Sequence, residues 1–448
     1  MSTKSFNIIS RNKILSFNKS ILVDSDKSIS IRSFLLGAIS ENITLASNVL
    51  ESEDVFSTIE CLKKLGIVIK KKAKKSYYIH GKGLGSLHAK KNLELNFGNS
   101  GTLARLLIGI LSTSPNIEVK IKGDHSLNKR DMGKLIKLMS KFGAFFLPNN
   151  KFNFPLKLIS SNMPIGIKYE AGVSAQLKSA VILAGLNSYG KTEIIEKQKS
   201  RDHTENILVN NPQVVKIVNS KKKIITIFGK KKLKNLKISV PGDPSSAAFF
   251  TALTLMNKSS SIRIKNICLN PTRIGFYKLL IKHGAKITFV NQKKTNNEMR
   301  GDIIVKSSKI KPIQAKKDYY VNSTDEYPIL FVIAALISGI SKFKGIGDLA
   351  NKESNRITEM QRVLNQLGIK TKSSKNELKI YGNKKINIEK KKITVPNLGD
   401  HRICMSTFVL AILTGVKTKI KNFDTVFTSS PSFLKIMKYL GAKFEIQK

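Results

Sequence analysis

The chain has 448 residues, 41% of them hydrophobic, enough for two or three domains with full cores and too apolar for a disordered polar chain. Its three cysteines, Cys61, Cys268 and Cys404, sit among apolar neighbours, which excludes a disulfide scaffold and fits a reducing cytosol. The formal charge of +48 is that of a nucleic-acid or acidic-membrane binder.

The elements in chain order are helices carrying polar blocks at their starts. Asp26-Lys27-Ser28-Ile29-Ser30-Ile31-Arg32 precedes an apolar helix over Ser33–Ile39. A Lys, hydroxyls and an Arg at a helix start suit a phosphate or carboxylate, or else simply cap the helix. An amphipathic helix over 54–65 stops at Gly66. Gly98-Asn99-Ser100-Gly101-Thr102 opens a helix through Leu103–Ile110 with Arg105 one turn in. Such a Gly loop lets backbone N–H groups approach an anion, although the Lys of a Walker A loop is missing. Gly123-Asp124-His125-Ser126-Leu127 and Arg130 follow. In the helix over 131–142, Met132, Leu135, Ile136, Met139 and Phe142 share one face, and Gly143 ends it. Ser174-Ala175-Gln176-Leu177-Lys178-Ser179 opens a helix to Leu186, and Ser200-Arg201-Asp202-His203-Thr204-Glu205 leads to a helix capped by Asn211. Val240-Pro241-Gly242-Asp243-Pro244-Ser245-Ser246 and Asn270-Pro271-Thr272-Arg273 precede a helix over 276–283 and Gly284. Asp325-Glu326 comes before the longest apolar run, Pro328 to Ile340, which is below the roughly 18 residues of a membrane helix. Lys352-Glu353-Ser354-Asn355-Arg356 runs into a helix over 357–367 and Gly368. Asp400-His401-Arg402 follows, and the last helix, 432–440, begins at Pro431 and stops at Gly441.

Six helices thus end on Gly, or on Asn211, before a β-rich segment, about every 75 residues. Six such units close either as one ring or as two globules of three, and clefts between globules are preferred ligand sites. Singly, each polar block suits capping or ion pairing as well as chemistry. Together they supply many anion donors and a few carboxylates, without a nucleophile triad, a metal cluster or a dinucleotide fingerprint. That points to a small, multiply anionic substrate handled by acid–base and electrostatic means.

The charge itself reads as composition. The chain has 11 Arg against 67 Lys and is crowded with Asn and Ile, the mark of AT-rich coding. The clusters Lys70 to Lys75, Lys221 to Lys223, Lys230 to Lys232 and Lys390 to Lys392 are scattered and flank short strands. They read as solvated hairpin edges that resist edge pairing. Where Lys replaces Arg freely, a surviving Arg is held by the planar fork that grips carboxylate or phosphate. Seven of the 11 lie in the polar blocks: Arg32, Arg105, Arg130, Arg201, Arg273, Arg356 and Arg402.

Read in order, LNFGNSGTLARLL, GDHSLNKRDM, SAQLKSAVILAGL, SRDHTE, VPGDPSSAAFF, NPTR, DEYPIL, KESNRI and DHRICM make the chain resemble the 5-enolpyruvylshikimate-3-phosphate (EPSP) synthase family over nearly its whole length. The resemblance implies an α/β fold of two inside-out globular domains, each of three βαβαββ-type repeats, with the active site in the interdomain cleft. The first globule would be 1–24 with 243–448 and the second 25–242. The family joins the enolpyruvyl group of phosphoenolpyruvate to the 5-hydroxyl of shikimate 3-phosphate, releases phosphate by addition and elimination through a tetrahedral intermediate, and uses no cofactor or metal. Lys27 matches a lysine that meets both substrates and moves protons. Ser28, Arg32, Ser174, Ala175, Gln176, Ser200, Arg201 and Lys352 match positions around shikimate 3-phosphate. Gly101, Arg130, Gln176, Arg356 and Arg402 match the phosphoenolpyruvate site. Asp325 resembles the base for the 5-hydroxyl, and Glu353 the group that serves the methylene carbon. Gly101 leaves room in the phosphoenolpyruvate pocket, which implies competitive inhibition by glyphosate.

The motifs also depart from the family. Asp24-Ser25 replaces a usual Pro-Gly, Ile31 a usual His, Ala350-Asn351 a usual Arg-Val and Asn355 a usual Asp. Ser430 replaces the Phe of a Ser-Phe-Pro, and Val426 a Lys found in some members. The related UDP-N-acetylglucosamine enolpyruvyl transferases use a loop cysteine that has no counterpart here. A nucleic-acid partner would need aromatics interleaved with the Lys runs, yet aromatics are 7% of residues and lie elsewhere. With too few residues ahead of the fold for a transit peptide, a cytoplasmic monomer acting on small molecules is expected.

Overall fold

The computed structural model describes residues 5–448. Its strands form six four-stranded sheets that repeat one local plan. In the stretch 94–159, strand Glu94–Asn96 leads into helix Gly101–Thr113, strand Glu118–Lys122, helix Gly133–Ser140 and the paired strands Phe145–Leu147 and Leu156–Ile159. The first two strands pair in parallel, the fourth lies antiparallel to the second, and the third forms the far edge. A parallel step needs a crossover, and the first helix supplies it. The same βαβαββ order recurs over 168–228 and 314–382.

The other three copies borrow a strand from far along the chain. Lys237–Ser239 supplies the first strand beside Glu41–Ser47. Asn7–Ser10 supplies the fourth strand between Lys417–Ile420 and Glu445–Gln447. Asn18–Ile21 pairs in parallel with Ser261–Cys268, with three whole repeats lying between them in sequence. The chain divides into two compact units, each with three sheets. One holds the stretch ending at Asp24, Pro241–Lys293 and Met299–Lys448; the other holds Ser25–Val240 and Lys294–Glu298. The short segment joins the second unit through Asn296, which donates to Lys237 O (2.8 Å), and Glu298, which meets His203 Nδ1 at 2.7 Å.

Within each unit one set of helices is inside and the sheets lie outside. The first helix of each repeat is enclosed on all sides: Ile29 to Ile39 are all buried in Lys27–Ile39, as are all nine residues of Tyr327–Ala335. A helix without a polar face belongs in an interior. Some of its hydroxyls are satisfied locally, Ser33 donating to Ile29 O and Thr254 to Phe250 O at 2.8 Å each. Gly109 permits a close crossing of helices Gly101–Thr113 and Ala175–Leu186, since a Cβ there would lie 2.6 Å from the Ala180 carbonyl oxygen. Strands such as Lys223–Phe228 are buried on one face. Cys61, Cys268 and Cys404 are buried, with none in a disulfide.

The second helices are amphipathic, and five stop where expected. Gly66, Gly143, Gly284, Gly368 and Gly441 all have φ between 74° and 102°, a left-handed turn that glycine adopts without strain. Asn211 does not follow them. It is not left-handed; it is buried, and its side-chain carbonyl accepts from Lys234 N at 3.0 Å and Gln213 Nε2 at 3.1 Å. Pro431 lies before Ser432, the N-cap of Phe433–Tyr439, and so stands outside the helix. The first helix begins at Lys27, six residues before Ser33. Alternation of Ser and Ile hid those turns, because a helix buried all round has no polar stripe to show its period.

Candidate active site

In the Ser25–Val240 unit, the three enclosed helices begin with a side-chain cap. Asp26 accepts from Ile29 N (2.8 Å), Ser100 from Leu103 N (3.2 Å) and Ser174 from Leu177 N (3.4 Å). The remaining N–H groups of each first turn make an anion-attracting end. Lys27 is the first helical residue, and its ammonium is 2.9 Å from Asp54. Arg32, one turn on and buried, donates from Nε to Thr204 Oγ1 (2.8 Å), from Nη2 to Ser179 Oγ (3.0 Å) and from Nη1 to Ser28 O (2.9 Å). Gln176 bridges the next pair of helices: it accepts from Arg105 (3.0 Å) and donates to Thr102 (2.9 Å). Arg130 donates to Asn99 Oδ1 (2.9 Å), whose amide in turn donates to Asp124 (2.7 Å). Gly101 lies under two guanidiniums. A Cβ there would be 2.8 Å from Arg105 Nη1 and 3.0 Å from Arg130 Nη1. Ser200 donates its N–H (2.8 Å) and hydroxyl (2.6 Å) to Glu196, with Arg201 next along the chain.

The other unit gathers the carboxylates. Arg356 is almost fully buried and donates from Nε to Asp400 Oδ2 at 2.9 Å. It also pairs with Glu353 and lies 3.8 Å from Asp325. Burial alone would make this guanidinium easier to deprotonate, but Asp400 and Glu353 outweigh it and hold it more firmly charged. Asp400 also caps helix His401–Thr414 through Arg402 N (2.9 Å) and accepts from Ser354 (3.0 Å). Arg402 approaches Asp325 Oδ1 at 3.6 Å and donates to the Asp325 carbonyl at 3.2 Å. Asp325, Glu353, Arg356 and Arg402 therefore form one cluster. Lys352 turns elsewhere, to Asp348 at 2.6 Å. Arg273 donates to Asp243 (3.0 Å) and Ser245 (3.2 Å), and Ser245 donates to Glu326, so the Gly-Asp-Pro-Ser-Ser and Asn-Pro-Thr-Arg blocks buttress the neighbour of Asp325.

The motifs do not include Asp54 or Glu196. Each is a lone residue outside the compact blocks, and only its partner reveals it. One expectation fails outright: Lys223 is not a solvated hairpin residue but a buried one, 3.2 Å from Glu205. Two family departures prove to be partners. The Asp24 carboxylate accepts from Ser430 Oγ (3.0 Å), Ser432 N (2.9 Å) and Ser432 Oγ (2.8 Å). Asn355 still caps its helix, accepting from Thr358 N at 3.2 Å. Ile31 and Val426 are wholly buried apolar side chains.

A family model described as EPSP synthase (3-phosphoshikimate 1-carboxyvinyltransferase) matches residues 12–437. The chain belongs to the EPSP synthase family. A 3-phosphoshikimate 1-carboxyvinyltransferase of Paramagnetospirillum magneticum is 36% identical over 424 residues, covering 94% of each chain. That of Bacillus subtilis is 36% identical over 434 residues, covering 97% of this chain and 99% of its own. Among solved structures, EPSP synthase from Acinetobacter baumannii aligns over 99% of this chain and 100% of its own, with a TM-score of 0.85 and 32% identity. The enolpyruvyl transferase NikO from Streptomyces tendae shares the fold, with a TM-score of 0.75 at 13% identity. Among the described residues of this EPSP synthase family member, no helix is long and apolar enough to cross a membrane.

Proposed function

We propose that the chain transfers the enolpyruvyl group of phosphoenolpyruvate to the 5-hydroxyl of shikimate 3-phosphate, releasing phosphate, as a cytoplasmic monomer. What carries the reading is that Lys27, Arg32, Gln176, Arg130, Asp325, Glu353, Arg356 and Arg402, all at positions matching the family's substrate and catalytic groups, are members of the two networks. In this reading residues 25–242 and the remainder, 1–24 with 243–448, act as the two halves of one enzyme. Ser28, Arg32, Ser174, Ala175, Gln176, Ser200, Arg201 and Lys352 hold shikimate 3-phosphate. Gly101, Arg130, Gln176, Arg356 and Arg402 hold phosphoenolpyruvate, with Lys27 between the two tasks. Two polyanions need this many donors, and charge-assisted bonds to oxyanions are the strong ones.

Asp325 takes the proton of the 5-hydroxyl as its oxygen bonds to C2 of phosphoenolpyruvate. Glu353, with Lys27, delivers a proton to the methylene C3, giving a tetrahedral intermediate. Return of a C3 proton to Glu353 then expels the C2 phosphate, which carries away the 5-hydroxyl proton from Asp325, and restores the double bond. Protons gained and lost at C3 balance, and the arginines stabilise charge on the carboxylate and leaving phosphate. The test is phosphate release from the two substrates by the unmodified chain beside Asp325→Asn and Glu353→Gln. Release by the unmodified chain alone supports the reading; no release with either substrate concentration raised would sink it.

A further inference from the structure

Inside the Ser25–Val240 unit lies a buried quartet of two ammoniums and two carboxylates. Lys178, on helix Ala175–Leu186, places Nζ 2.8 Å from Glu196 Oε1 and 2.8 Å from Glu205 Oε1. Lys223 Nζ is 3.2 Å from Glu205 Oε1 and 3.6 Å from Glu196 Oε2. The side chains of Lys178, Glu196 and Glu205 are 0% exposed, and the four formal charges cancel. Burial alone would lower the Lys178 ammonium, but Glu205 and Glu196 outweigh it and raise it. Burial would likewise raise the Glu205 carboxyl, but Lys178 and Lys223 hold it below its ordinary range.

A buried ion cluster is a weak device for stability, since apolar groups of the same volume often do as well. Its placement suggests another use. Glu196 ends strand Lys191–Glu196, and Glu205 lies in helix His203–Leu208, so one ammonium binds both ends of a single segment. Ser200 and Arg201 lie within that segment. Ser200 is tied to the same Glu196 oxygen that Lys178 holds. The next helical residue, Ser179, lies 2.8 Å from Thr204, and these two hydroxyls receive Arg32.

We propose that Lys178 is a positioning residue whose ammonium clips both ends of segment 196–205 and so presents Ser200 and Arg201 to the phosphate of shikimate 3-phosphate. The proposal rests on the substrate reading given above. Lys178→Met alone leaves a buried carboxylate without its cation and risks misfolding. Lys178→Met/Glu205→Gln removes one charge of each sign and keeps the Glu196–Lys223 pair. In that double variant the KM for shikimate 3-phosphate should rise at least tenfold, while kcat and the KM for phosphoenolpyruvate change less than threefold. Backbone amides of 197–204 should exchange with deuterium at least tenfold faster, in the absence of any substrate. Unchanged exchange there overturns the clip whatever the protein catalyses. A loss of kcat at constant KM for shikimate 3-phosphate overturns the positioning role and leaves a structural one. No phosphate release by the unmodified protein overturns the substrate reading and the phosphate half of the proposal, and the exchange rates still decide the clip.

Discussion

The two units hold their arginines by different means. In the Ser25–Val240 unit, Arg32, Arg105 and Arg130 donate to hydroxyl, amide and backbone carbonyl oxygens. Such acceptors fix the direction of a guanidinium, at about 1.5–3 kcal/mol each. In the other unit, Arg356 sits among Asp400, Glu353 and Asp325, and Arg402 reaches the same Asp325. There, charge meets charge, and Asp400, Glu353 and Asp325 outweigh burial to hold Arg356 firmly charged. The first arrangement suits holding anions; the second suits moving protons.

The sharpest way to break that division is at the carboxylates. We expect Asp325→Asn and Glu353→Gln each to lower kcat for phosphate release by roughly 10²- to 10⁴-fold, the range of a general acid or base, with smaller changes in KM. Near-normal kcat in either would assign proton transfer elsewhere. Arg130→Lys keeps the charge and loses the fork. It should raise the KM for phosphoenolpyruvate roughly 10- to 150-fold, the loss of one charged hydrogen bond at about 1.5–3 kcal/mol. Unchanged apparent affinity would remove Arg130 from the substrate set. Gly101→Ala pushes a methyl against Arg105 and Arg130, so a rise of roughly tenfold in the same KM is expected, about 1.4 kcal/mol. Glyphosate should compete with phosphoenolpyruvate in the unmodified chain and inhibit this variant less; full turnover of the unmodified chain at high glyphosate would refute the pocket assignment.

Two smaller effects concern stability. Asp24→Ala removes the acceptor shared by Ser430 and Ser432. It should cost about 1–3 kcal/mol in denaturant unfolding with KM values unchanged. Depression of Glu205 means that the unfolded chain takes up a proton near pH 4 that the folded chain still refuses. Its stabilising share is therefore present above that range and lost as pH falls through the lower folded value. The Lys178→Met/Glu205→Gln variant should show a shallower loss of thermal stability between pH 5 and pH 3, about one proton's worth of slope.

Much of the candidate site was legible because its residues come in compact blocks at helix starts. Arg32, Gly101, Arg130, Arg356 and Arg402 stood out against a lysine-rich background. Their supports were not legible. Glu196 and Asp54 are ordinary acidic residues in sequence, and nothing near them specifies that a lysine will arrive from another element.

The sequence by itself determined what depends on a few neighbouring residues. The amphipathic second helices, their left-handed glycine stops and the order of polar blocks are written in local spacing and backbone sterics. Tertiary structure alone decided where charge is buried and who partners whom. Lys223 leaves the solvent because Glu205 awaits it, Asp24 finds Ser430 and Ser432 at the other end of the chain, and strand Asn7–Ser10 completes a sheet with Glu445–Gln447. Those outcomes rest on contacts between separate elements, from 18 residues apart for Lys223 and Glu205 to more than 400 for Asp24 and Ser430, where desolvation and pairing compete, and no local pattern encodes the result.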